Sequence, residues 1–152
     1  MNKVFKLLLV VVFALVLESC ASSRSVTTTS HDVNLGKYNY IVLGNDQEGD
    51  AELNDIMMLV HNELADRFKI ISASKASYLI LQGEPVLAPS VNIKTEKWDG
   101  GHTYITITFD DYETNQRLVV VKSSGIGMSI SHDQKLALKA LKKELDNVFI
   151  NK

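Results

Sequence analysis

The chain has 152 residues, 45% hydrophobic and 22% charged, with 16 basic and 18 acidic side chains and one cysteine. That length and apolar content suit one domain with one core. A balance without basic excess argues against nucleic acid as a partner, and a single cysteine rules out an internal disulfide framework.

At the amino terminus, residues 7–17 are eleven consecutive apolar residues, preceded by Lys3 and Lys6 and followed by Glu18. A membrane-spanning helix needs about 20. The run therefore reads as the apolar centre of a signal peptide, residues 1–19, which is removed on export. Leu17-Glu18-Ser19-Cys20 resembles the lipobox of bacterial lipoproteins. The resemblance implies that the Cys20 sulfur receives diacylglycerol, that Cys20 becomes the mature amino terminus, and that it is then acylated. Cleavage after Ala21, with Ser19-Cys20-Ala21 as a small-x-small site, is the competing reading and leaves a secreted protein without an anchor. The lone cysteine favours lipidation, because an exported unpaired thiol is open to oxidation and intermolecular bridging. Each buried methylene contributes about 0.8 kcal/mol, so two or more acyl chains hold firmly. Without Lys3, Lys6 and Glu18, 14 basic and 17 acidic residues remain, a net charge of −3.

Residues 20–36 hold the lipidated cysteine and a Ser/Thr-rich stretch that reads as a flexible tether, with a reach of roughly 20 Å. By resemblance, Ala21 does not match an inner-membrane retention signal. Nor does Ser22-Ser23-Arg24 match the acidic cluster associated with surface display in Bacteroidetes lipoproteins. The expected location is the outer membrane, facing the periplasm.

Residues 37–152 form the expected domain. "YNYIVLG", residues 38–44, predicts a strand buried on both faces. Ile56, Met57, Val60, Leu64 and Phe68 recur every three or four residues and predict a helix from Leu53 to about Phe68. A short strand at 69–72 follows, then a strand "YLILQGEPVL" at 78–87. The Asp99-Gly100 turn leads into the alternation of Tyr104 and Thr106 with Ile105 and Ile107, and "RLVVVKSSG" completes an antiparallel meander. Ser131 and Gln134 match a capping box, opening a helix striped by Leu138, Leu141, Leu145 and Val148. The order β-α-β-β-β-β-α predicts an α+β fold: one two-layer domain with a mixed, mostly antiparallel sheet of about five strands and two helices on one face.

The lipobox, the "Y-x-Y-I-V" strand, the amphipathic helix, "A-S-Y-L-I-L" and "I-x-I-x-F-D-D-Y-E-T" before a closing helix together resemble small bacterial lipoproteins of uncharacterised function. Their αβ domain is similar to the amino-terminal domain of the Tol–Pal propeller protein and to curli-secretion lipoproteins. The resemblance implies an envelope protein with this αβ fold, and the lack of convergent reactive groups in the sequence adds the expectation of no catalytic residues and no cofactor beyond the lipid on Cys20.

The chemically capable residues are few. His31, His61, His102 and His132 show no metal-ligand spacing and read as surface residues. The Gly-x-Gly within "SSGIGMS", residues 123–129, lacks the lysine of a phosphate loop and reads as a flexible connection. Asp46, Glu48, Asp50 and Glu52 could offer oxygens to calcium, although they also suit the positive end of the following helix. Lys135, Lys139, Lys142 and Lys143 form either the solvated face of the closing helix or a contact for acidic headgroups. Trp98, in the polar hairpin tip "EKWDGG", is either a partner contact or packing. Three functions follow: a lipid-anchored binding or envelope-assembly module with a protein partner, a hydrolase using Asp110, Asp111 and Glu113, or a calcium-stabilised structural protein. The first is the expectation carried forward.

Overall fold

The computed structural model describes residues 21–29, 34–44, 51–96 and 101–149. Cys20, Trp98, His31, Asp46, Glu48, Asp50 and the Asp99-Gly100 turn lie outside the described residues, as does the side chain of Glu52. The fold is α+β, with an open mixed sheet of six strands. In chain order the elements are β1 (Ser22–Thr29), a 3-10 turn (Leu35–Lys37), β2 (Tyr40–Ile41), α1 (Ala51–Ala65), β3 (Lys69–Ile70), α2 (Ala73–Leu81), β4 (Val86–Glu96), β5 (His102–Asp111), β6 (Arg117–Ile126) and α3 (Ile130–Val148). The sheet order is β1-β6-β5-β4-β2-β3. The β1, β6, β5 and β4 pairs are antiparallel, and β2 runs parallel to both β3 and β4.

Alternation along the strands builds two layers on one sheet, because successive side chains point to opposite faces. Ile105, Ile107, Phe109, Val119 and Val121 face inward and pack under α1 and α3. Helix α1 contributes Ile56, Val60 and Leu64, and α3 contributes Ala137, Leu141 and Leu145. The rings of Phe68 and Phe149 meet edge-on at 5.0 Å, and Phe109 meets Phe149 at 5.3 Å. Tyr40 and Val42 point the other way, onto a smaller cluster of Ala76, Leu79 and Val86. That cluster places α2 on the opposite face of the sheet from α1 and α3.

Three expectations change. The stretch read as a flexible tether contains β1: Ser22–Thr29 pairs along its length with β6, Ser22 opposite Ile126 and Thr29 opposite Val119. Ser and Thr carry no apolar alternation to announce a strand, yet their hydroxyls serve an edge position well. The strand expected at 78–87 divides instead into helix α2, a turn and the start of β4. Ser72 caps α2 by accepting from the Lys75 amide. Gly83, at φ +82°, ends the helix with a double bond pattern, Gly83 N–H to Ile80 O and Glu84 N–H to Leu79 O. A third helix, packed on the second face, thus joins the two expected on one face. The cap of α3 also moves: Ser129, not Ser131, accepts from the His132 amide at 3.3 Å, while the Met128 amide donates back to His132 Nδ1 at 3.5 Å. Histidine stands where a capping box has Glu or Gln, but it accepts from the amide of Met128, one residue before the cap, rather than from that of Ser129.

Candidate functional site

The strand directions sort the molecule into two ends. The starts of β1 and β5 and the finishes of β4 and β6 gather at one end, since Ser22 opposes Ile126, Thr103 opposes Gly125 and Glu96 opposes His102. Cys20 is two residues before Ser22, so the chain carrying the candidate lipidation site enters here. Met128, just past β6 at the same end, is 74% exposed.

β1 is held against the rest of the domain by α3. Ser25 Oγ donates to Glu144 Oε2 at 2.9 Å, and Thr27 Oγ1 donates to Glu144 Oε1 at 2.6 Å. The Thr27 bond lowers the Glu144 carboxyl below the usual carboxylate range; partial burial opposes it and the Ser25 bond reinforces it.

The opposite end of the sheet holds Val86, the β5–β6 turn and α2. Tyr78 and Leu81 on α2 are 60% and 87% exposed, and Ile70 on edge strand β3 is also exposed. They present apolar area to solvent far from the entry of the chain.

Asp110, Asp111 and Glu113 meet at the β5–β6 turn, but their contacts are those of a turn. Asp111 Oδ2 accepts from the Tyr38 hydroxyl at 2.8 Å. Asp111 Oδ1 accepts from the Glu113 amide at 3.1 Å, the Thr114 amide at 2.9 Å and the Thr114 hydroxyl at 3.0 Å. Burial raises the Asp111 carboxyl, but these four donors outweigh it and leave it below its ordinary value. Burial and the neighbouring carboxylate push the Tyr38 phenol upward. Asp110 pairs with Arg117 at 3.2 Å.

The histidines are dispersed. His102 Nδ1 lies 3.0 Å from the Tyr104 hydroxyl, His132 belongs to the α3 cap, and His61 Nε2 is shielded on α1. Among the described residues, no group of three or more His, Cys, Asp and Glu side chains could hold a metal. Of the four lysines on α3, all exposed, Lys142 reaches Glu63 on α1 at 3.2 Å. Glu63 also pairs with Arg67, and Arg67 with Asp146, so this group links the two helices.

The Gly-x-Gly read as a flexible connection is tightly packed. A Cβ on Gly125 would press on the Asp133 carbonyl oxygen, lie 2.5 Å from the Ala137 nitrogen and lie 2.8 Å from Leu136 Cβ. Asp133, fully buried, sets its carboxylate against Gly101 and Gly127, and neither oxygen has a hydrogen-bond partner among the described residues. Nothing local in "SISHDQ" marks this aspartate as buried, because its environment is supplied by glycines from two other elements.

No protein-family model matches the sequence, and no curated protein matches it. Among solved structures, the chain is similar to the PelC dodecamer from Paraburkholderia phytofirmans, at 17% identity and TM-score 0.48, covering 82% of this chain and 95% of that one. It is also similar to a PDZ domain protein from Parabacteroides distasonis, at 10% identity and TM-score 0.48, covering 87% of this chain and 38% of that one. No activity or assembly is carried from either to this chain.

Proposed function

We propose that this chain is a lipid-anchored cell-envelope protein that acts as a binding or envelope-assembly module and not as an enzyme. The observation that supports it is positional. Cys20 follows an apolar run too short to span a membrane and stands two residues before β1, so an acyl group there would moor one end of the sheet. The exposed apolar side chains of α2 and β3 would then face away from the bilayer, available to a protein partner. Ala21 in place of a retention signal, and Ser22-Ser23-Arg24 in place of an acidic display cluster, support the outer membrane, facing the periplasm, as its place, with the lipid on Cys20 as the sole prosthetic group.

Intact-mass analysis of protein extracted from membranes, with and without the lipoprotein signal-peptidase inhibitor globomycin, tests the anchor. The expected result is a mature chain beginning at Cys20 and bearing diacylglycerol plus an acyl chain, replaced under inhibitor by a precursor retaining residues 1–19. A chain beginning at Ser22, or a bare thiol at Cys20, would overturn it. Crosslinking in intact cells addresses the partner: Leu81→Asp should reduce recovery of a crosslinked envelope protein that the native chain captures, and equal recovery would exclude this surface.

A further inference from the structure

The face of the sheet opposite α1 and α3 is covered by α2 only toward the Val86 end. Toward the anchor end none of the described residues covers it, and the register lays its side chains out in rows. Ser22 and Ile126 lie beside His102 and Glu96; Arg24, Ser124, Tyr104 and Lys94 form the next row; Val26, Lys122, Thr106 and Asn92 form the third. Arg24, Lys94 and Lys122 are exposed. Glu96, the carboxylate among these three rows, is already engaged by Lys94 at 3.0 Å. Among the described residues, the uncompensated charge of the patch is therefore that of Arg24 and Lys122. Tyr104, with an apolar ring and a polar tip, stands on β5, on the far side of β6 from Arg24 and diagonal to Lys122, and Met128 projects at the margin. Successive rows are about 6.6 Å apart, so Arg24 in the second lies within about one Debye length of the plane the anchor end touches, and Lys122 in the third, about 13 Å back, has a long side chain that extends its charge toward the same plane.

We propose that this end of the open face rests on an anionic phospholipid surface, with Met128 and Ile126 in the interface and Arg24 and Lys122 at the level of the lipid phosphates. The inference rests on lipidation of Cys20 as proposed above and adds the lipid-facing surface and the orientation. The occupant is set by the chain itself. With only Ala21 between Cys20 and β1, no slack separates an acylated sulfur from Ser22 and Ile126, and the nearest large partner is the bilayer. The basic residues match its phosphates, and Met and Tyr suit the boundary between apolar and polar layers. The sheet meets the surface at its anchor end only, which keeps helix α2, on the same face at the far end, clear of the bilayer.

The test uses the full-length lipoprotein, purified in detergent and reconstituted into phosphatidylethanolamine vesicles with or without phosphatidylglycerol. An environment-sensitive fluorophore is placed on Met128→Cys or, as the far-end control, on Asn147→Cys; the acylated Cys20 sulfur does not react. The expected result is a blue shift and quenching by doxyl-labelled lipid at position 128 but not at 147. Removing phosphatidylglycerol, or combining Arg24→Gln with Lys122→Gln, should weaken the contact, by roughly fivefold per charge lost. Equal exposure at both positions with Cys20 acylation intact by mass would overturn the contact while leaving the anchor standing. An unacylated Cys20 would overturn both. Protection of position 128 in cells but not in vesicles would assign the surface to a protein and overturn the lipid reading.

Discussion

Asp111 accepts from the Tyr38 hydroxyl and from three donors of its own turn, so Asp111→Ala leaves several polar groups unsatisfied together. The expected loss is about 2 kcal/mol, read by urea denaturation; a loss near zero would mean that water replaces the carboxylate fully. The folded state holds this carboxyl below its unfolded value. Its contribution is therefore complete above about pH 4, the unfolded value, and declines as pH falls through the folded one. Asp111→Asn should flatten that acid limb. Gly125→Ala is expected to cost about 3 kcal/mol, because backbone of α3 stands where the methyl must go. At Gly83 the space is open and only the positive φ resists, so Gly83→Ala should cost about 1 kcal/mol. Reversal of that ranking in thermal melts would contradict the packing described. The turn role of Asp111 is legible in "FDDYETNQ", where polar residues end a strand. Its bond to Tyr38 is not, since that partner is 73 residues away.

β1 and α2 are the two elements whose local signals mislead, for opposite reasons. β1 has no buried apolar stripe; its pairing with β6 and the Glu144 bonds hold it. Glu144→Ala should lower the opening free energy of Ser22–Thr29 by about 2 kcal/mol, seen as faster amide hydrogen exchange in that strand alone. Unchanged protection would mean that the backbone ladder suffices. Because the fold lowers the Glu144 carboxyl, this docking is complete above its unfolded value near pH 4.3 and loosens as pH falls through the folded value. α2 misleads because "YLIL" is as apolar as a buried strand, whereas in the fold Leu79 is buried and Tyr78 and Leu81 are exposed. The boundary residues Ser72 and Gly83 carry the helix signal that the apolar run obscures.

Across the whole molecule, one layer of core joins α1, α3 and the sheet, and Phe109 lies at its centre against Phe68 and Phe149. Phe109→Ala should cost about 4 kcal/mol and move the midpoint of the entire transition to lower temperature and denaturant; a change confined to β5 would argue against a single cooperative core. The order of residues decides a good deal unaided: the apolar run before Cys20, the helices at 56–64 and 138–148, and the meander whose alternation puts Ile105 and Ile107 inside. These are periodic signals, and periodicity is a property of neighbours along the chain. Folding alone decides that Ser22–Thr29 becomes an edge strand, that α2 covers the second face, that Asp133 is buried among glycines, and that Arg24, Tyr104 and Lys122 share one open surface. Each depends on groups brought together from distant positions, whose desolvation, hydrogen bonding and steric fit exist only after the strands have found their register.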